Sequence, residues 1–402
     1  MAVPVILIPI LAMVFSPSDY RILSIFQMLI TFFGIFMGFQ SISSVVRFVK
    51  NDDRDVKADQ LIISSSFYIF CVSIFIFIFF IFFTQNFLSD FLKISKLVIW
   101  MSFLVANLYF VWQLYLNYCQ AKENGGAYFT STIFHALISL VLTLIIIGIG
   151  SELNERILAI IISAILVAVI SYIKMGSSIK EREWNYDSIK KNLLYGFYLI
   201  PHCIFVFSSA FIDKIYINTY FSEVVAGSYF LMFVVSQVCL LIPTAINLTF
   251  RPWLFNNCGD SKKMESILKQ KNIYLALNLV AFASALIAVF AYLILSYIGE
   301  KNSYQISGSV FFILCISVTI DGIYLFPINL ILFLEKTKTV SLITFLSLFF
   351  TVVLLSFLGP LYGMLGAAIS CLFGSVSRCT LSFIVGIRGI KRYHLQGNIV
   401  KG

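Results

Sequence analysis

Few residues in this chain could do chemistry, and almost all of them sit inside or beside long apolar runs. Asp213 and Lys214 form an acid–base pair twelve residues after Pro201-His202. Arg378 is read as the only basic residue deep in an apolar run, about ten residues before Arg388. Asp321 sits mid-run, six residues before Pro327, and His135 lies in another run. Ionisable groups at membrane depth are costly and usually face a bundle interior or a watery cavity. A planar guanidinium suits a diphosphate, so Arg378 is a candidate anion contact; a salt bridge to Asp321 or Asp213 is the plainer use. Asp213-Lys214 reads either as a headgroup-facing pair or as an interfacial pair snorkelling to water. Asp321, His202 and His135 are candidates for ion coupling, the histidines because they titrate near neutral pH. A protonated, hydrogen-bonded Asp321 and ordinary interior histidines are the alternatives. Arg47 and Arg251 each close a span and could meet a diphosphate at the inner face, or simply anchor it.

The elements that carry these residues are membrane spans. Of 402 residues, 60% are hydrophobic and only 12% charged, with mean hydropathy +0.96. Soluble domains carry about 25% charge, so the chain reads as an all-α polytopic membrane protein. At roughly 20 apolar residues per span, twelve spans are expected: about 2–15, 22–46, 61–83, 97–118, 127–149 and 157–173, then 193–212, 224–250, 272–298, 308–334, 340–358 and 361–387. Pro201 is expected to kink the seventh. The first is short. The expected organisation is two pseudo-symmetric six-helix bundles around a central cavity, residues 1–173 and 193–387, with a linker at 174–192 and a tail at 388–402.

The net charge of +9 does not point to nucleic acid. Twenty-one of the 28 basic residues fall in loops on one side, which puts both termini in the cytoplasm. The eight cysteines show no CxxC spacing and read as small buried apolar residues, so neither metal nor disulfide is expected. No GxxxxGK[ST] loop is present, and no cofactor is implied. The start Met-Ala-Val-Pro does not read as a signal peptide. The longest outward loop, near 84–96, is too short to house an enzyme's site. The halves look like parallel repeats: Phe15–Arg21 lines up with Phe221–Gly227, with Arg21 standing where the second half has Gly227.

Pro201, the Asp213-Lys214 pair, Gly227-x-Tyr229 and the stretch Gly359-Pro360-Leu361-Tyr362-Gly363-Met364-Leu365-Gly366-Ala367-Ala368 together resemble the polysaccharide-export branch of the MATE-like MOP superfamily. Within it the likeness is to O-antigen flippases of the Wzx type, whose last span opens with a similar Pro-x-x-Gly-x-x-Gly-Ala-Ala pattern. The resemblance implies an inner-membrane flippase, not an enzyme, that moves undecaprenyl-diphosphate-linked oligosaccharide units to the periplasmic leaflet for lipopolysaccharide or related polysaccharide synthesis. It implies the lipid-linked oligosaccharide and membrane lipids as partners, with a polysaccharide polymerase and a chain-length regulator beside them. The alternative is a multidrug or small-molecule cation-coupled antiporter of the same superfamily. A major-facilitator transporter would carry Gly-x-x-x-Asp-x-x-Gly-Arg near Arg47–Gln60, which is absent, and a membrane polysaccharide polymerase ranks last.

Overall fold

The computed structural model describes residues 10–49, 56–149, 153–176, 185–257, 271–334 and 336–399. These residues are almost entirely helical. After a helical stretch at 10–14, the order is α1 (Pro17–Phe36), α2 (Ile42–Phe48), α3 (Val56–Leu92), α4 (Lys96–Ala121), α5 (Gly125–Ile149), α6 (Leu153–Met175), α7 (Tyr186–Phe197), α8 (Ile200–Tyr220), α9 (Glu223–Ser236), α10 (Leu241–Asn257), α11 (Lys271–Asn302), α12 (Gly308–Phe333), α13 (Thr337–Tyr362) and α14 (Met364–Ile399). Eleven helical segments among the described residues are long and apolar enough to cross a membrane. Most of the first expected span, 2–15, lies outside those residues. Exposed phenylalanines on α3, such as Phe75, Phe79 and Phe83, are what lipid-facing positions require.

The chain divides into two compact units, one spanning Ser18–Phe207 and the other residues 208–399 with 10–17 among those described. The division falls inside α8.

Helix starts follow local capping. Ser95, Asn185 and Ser222 each accept a backbone N–H from the first turn of α4, α7 and α9. Pro17 and Glu223, the first residues of α1 and α9, stand 206 residues apart, the offset of the sequence repeat. Arg21 and Gly227 then do different work at matching positions. Arg21, only 2% exposed, donates to the carbonyls of Leu92 (3.4 Å) and Lys93 (3.1 Å) at the C-terminus of α3. A cation there complements the negative end of the helix. Gly227 lies against the Pro17 backbone, where a Cβ would overlap the Pro17 carbonyl oxygen.

Four expectations need correction. The span expected at 22–46 is broken: α1 ends at Phe36, and Gly38, Phe39 and Gln40 take left-handed backbone (φ 59°, 47° and 59°) before α2 begins. Left-handed non-glycine residues cost roughly 1–2 kcal/mol each, offset here by replacement hydrogen bonds. The Gly38 N–H donates to Ser73 Oγ (2.9 Å), and Gln40 Nε2 donates to the Ile35 carbonyl (2.9 Å).

Pro201 does not kink a span. The chain turns at Tyr198-Leu199, and Pro201 falls in the first turn of α8, where a missing N–H costs little. The Gly359–Ala368 motif does not simply open the last helix; it straddles α13 and α14, with Gly363 at φ 57° between them. Its glycine lets the helices close: a Cβ on Gly366 would overlap the Leu358 carbonyl, and Ala367 and Ala368 are fully buried. Finally, Arg21, Arg156 and Lys214, counted from the sequence among the charges of the outer side, are helical and buried.

Candidate functional site

Two charged clusters lie in the second unit. The first joins α8 to α9. Lys214 curls back along its own helix so that Nζ meets Asp213 Oδ1 at 3.2 Å, Oδ2 at 3.4 Å and the Ala210 carbonyl at 2.6 Å. The ammonium also sits 3.1 Å from the centroid of the Phe233 ring. Tyr229, one turn earlier on α9, donates its hydroxyl to Asp213 Oδ2 at 2.7 Å. Asp213, Lys214 and Tyr229 are 1%, 5% and 0% exposed, so the cluster is sealed. The sequence placed the pair at the outer end of a span ending near 212; α8 runs on past it to Tyr220.

The second cluster joins α12 to α14, and it is open. Arg378 Nη2 meets Asp321 Oδ1 at 2.5 Å, while side-chain exposures are 14% and 31%. Nη1 donates to Ser209 Oγ at 3.3 Å, the guanidinium lies 5.3 Å from the Tyr324 ring centroid, and Nε has no hydrogen-bond partner among the described residues. The pair is therefore one-pronged. Part of the donor fork is left over for a second anion. One to two turns away the same seam continues as Ser317 to Ser375 (2.9 Å) and Ser317 to Cys371 Sγ (3.6 Å).

Ser317, Asp321 and Tyr324 on α12 face Cys371, Ser375 and Arg378 on α14, each set spaced by four and then three residues. That spacing places a polar stripe on one face of each helix. Ser209 and Tyr324 were missed by the sequence reading; the spacing could have found Tyr324, whereas nothing local marks Ser209.

His135, in the first unit, packs on Trp112 (ring centroids 4.4 Å apart), with Nε2 3.3 Å from the Tyr109 hydroxyl. His202 is half-buried at the start of α8, its Nδ1 unpartnered among the described residues. The Arg251 side chain lies outside the described residues. Arg47 is exposed at the end of α2, over the Tyr195 ring at 5.6 Å. The Tyr195 ring meets Phe48 edge-on at 5.4 Å, and Lys191 Nζ lies 4.0 Å from the Phe48 centroid. Two exposed cations thus rest on aromatic rings.

Comparison with known proteins adds four findings. A family model described as "Polysaccharide biosynthesis protein" matches residues 1–257, which include Asp213-Lys214 and Gly227-x-Tyr229 but stop short of Asp321 and Arg378. A Haemophilus influenzae protein named "Uncharacterized membrane protein" is 27% identical over 355 residues, covering 84% of this chain and 82% of that protein. Among solved structures, an inward-facing MATE family multidrug resistance transporter of the MOP superfamily matches with TM-score 0.75 at 13% identity, over 96% of this chain and 93% of the other. A MOP superfamily transporter from Pyrococcus furiosus, whose title reports a binding pocket of reversed polarity, matches with TM-score 0.57 at 13% identity, over 94% and 97%. The fold is that of MATE transporters.

Proposed function

The chain belongs to the polysaccharide biosynthesis protein family, and from that premise we propose that it is a flippase for undecaprenyl-diphosphate-linked oligosaccharide units. It carries O-antigen or related repeat units from the cytoplasmic to the periplasmic leaflet of the bacterial inner membrane by alternating access, with both termini cytoplasmic. Unaided, a diphosphate would have to cross about 30 Å of hydrocarbon at prohibitive desolvation cost. The observation that carries this reading is Arg378: a partly exposed guanidinium with donors to spare, on a membrane-spanning helix.

In this reading Arg378 contacts the diphosphate, and Asp321 holds the guanidinium ready and is released when the phosphate takes its place. Arg47 and Lys191 receive the headgroup at the inner face; Arg251, where α10 nears its end, is assigned to the same step. Asp213 and Lys214, sealed as they are, tether α8 to α9 and set where Ser209 stands. Asp321, His202 and His135 are the residues assigned to ion coupling, and a polymerase and chain-length regulator act downstream.

A second reading, a cation-coupled antiporter for drugs or other small molecules, is favoured by the fold likeness to a multidrug resistance transporter. Deleting the gene in its host separates the two. The flippase reading expects lost surface polysaccharide, with lipid-linked repeat units held at the cytoplasmic leaflet. Normal polysaccharide together with heightened drug sensitivity would instead establish the antiporter.

A further inference from the structure

One charge in the Ser18–Phe207 unit meets no opposite charge. Arg156 sits in the first turn of α6, only 4% exposed, and its Nη1 donates to Thr143 Oγ1 on α5. Thr143 gives its own hydrogen to the Ser139 carbonyl (2.5 Å), so it serves the guanidinium purely as a neutral acceptor. Nε has no hydrogen-bond partner, and among the described residues no carboxylate pairs with Arg156. The ionisable side chain within its electrostatic reach is Tyr109 of α4, whose hydroxyl is 3.3 Å from His135 Nε2. Glu155 is adjacent in sequence, but helix neighbours point about 100° apart, and its Oε2 is likewise without a hydrogen-bond partner among the described residues.

A buried guanidinium cannot shed its proton, and leaving it without an anion is strongly destabilising. Helix ends do not supply the missing charge. α5 ends at Ile149 and α6 begins at Leu153, so a negative and a positive terminus meet there and offset each other. Arg156 itself therefore sets the sign of the site, and its free atoms set the kind of anion. With Nη1 committed to Thr143, the side-on edge of Nε and Nη2 is left over, two parallel donors that match two oxygens of a phosphate. Position sets the source. α6 has 23 residues, about 35 Å against a hydrocarbon core of about 30 Å, so its first turn lies near the level of lipid phosphates. Leu144 and Ile145 beside Thr143, and Leu158 two residues past Arg156, are exposed, so lipid-facing surface begins next to the guanidinium.

We propose that Arg156 is a phosphate-binding site between α5 and α6, where Nε and Nη2 hold two oxygens of an anionic membrane lipid's phosphodiester or of inorganic phosphate. The site is separate from the Arg378–Asp321 cluster of the other unit, and it stands whatever the cargo.

The test uses the full chain, stripped of bound lipid and placed in nanodiscs of phosphatidylcholine alone or of phosphatidylcholine with phosphatidylglycerol. A third arm adds inorganic phosphate to the phosphatidylcholine discs, against chloride at constant ionic strength. Melting temperature is read in each arm, and native mass spectrometry reads retained phosphatidylglycerol. The wild type should melt higher, saturably, with phosphatidylglycerol if lipid fills the site, or with inorganic phosphate alone if the free ion does. Arg156→Met keeps the length of the side chain without its charge. It should lose that response yet melt no lower than the wild type in plain phosphatidylcholine, because an uncompensated buried charge is gone. Arg156→Lys keeps the charge without the parallel donors, and should weaken the response about tenfold, one charge-assisted hydrogen bond's worth. It decides the matter should Arg156→Met not accumulate. The proposal fails if the wild type responds to neither phosphate source. It also fails if the Arg156 variants respond as the wild type does.

Discussion

The Tyr229 hydroxyl donates to Asp213 Oδ2 across 2.7 Å, joining α9 to α8 with both side chains sealed from solvent. The two short motifs that mark this chain, an acid–base pair and a Gly-x-Tyr, are therefore two ends of one contact. Tyr229→Phe removes the shorter of two donors to a buried carboxylate oxygen, leaving Asp213 Oδ2 only the 3.4 Å contact from Lys214 Nζ, a loss of about 1 kcal/mol. Removing the cation is worse. Lys214→Met leaves the Asp213 charge uncompensated, which costs about 3–5 kcal/mol in buried pairs. Asp213→Asn combined with Lys214→Met should be milder than Lys214→Met alone. Melting curves of the purified variants and their steady-state levels in membranes check this order; a double variant as unstable as the Lys214 single would refute it.

Arg21 supplies a second test, at the other copy of the repeat. Its guanidinium caps the last carbonyls of α3 through Leu92 and Lys93. Arg21→Met keeps the length of the side chain and removes the donors, so α3 should lose protection at its C-terminal turn. We expect a loss of roughly 1–2 kcal/mol, the range for a cation at a partly buried helix C-terminus. Hydrogen exchange at residues 89–93, faster in the variant while the rest of α3 is unchanged, is the readout.

How much of this was legible beforehand follows from range. Hydropathy reports on local composition, so span positions and the membrane class were readable from sequence. The Arg378–Asp321 ion pair was one of the alternatives open for Arg378, because two opposite charges in apolar helices must find partners. The break at Gly38–Gln40 was not readable. A single glycine in an apolar run looks ordinary, and the left-handed turn there is held by Ser73 and Gly196, 35 and 158 positions away. Arg21, Arg156 and Lys214 were misplaced for a related reason. A charge near the end of an apolar run reads as a loop residue unless one knows which helix end or side chain receives it.

Glycines at the last two helices give a steric prediction. A Cβ on Gly366 would overlap the Leu358 carbonyl oxygen, and one on Gly374 would overlap Thr351 Oγ1. The first collision is with backbone and cannot be relieved by a rotamer change, whereas the second falls on a side chain. Gly366→Val should therefore cost more than Gly374→Ala, with overpacking of this kind worth about 1–3 kcal/mol. Equal melting temperatures for the two variants would contradict the close approach of α13 and α14.

The role of Arg378 is tested by a double substitution. If the Arg378–Asp321 pair were only structural, removing both charges would repair much of what either single change damages. If Arg378 instead binds a diphosphate, the double variant stays inactive, because the missing partner is the cargo. Arg378→Ala should abolish restoration of surface polysaccharide in a deletion strain while the protein still inserts into the membrane. Arg378→Ala with Asp321→Ala should remain inactive with near-normal stability, since removing both partners leaves no charge uncompensated. Arg378→Lys, which keeps the charge but loses the planar fork, should retain only part of the activity. Full restoration by the double variant would remove Arg378 from the transport step and reduce the pair to a structural tie between α12 and α14.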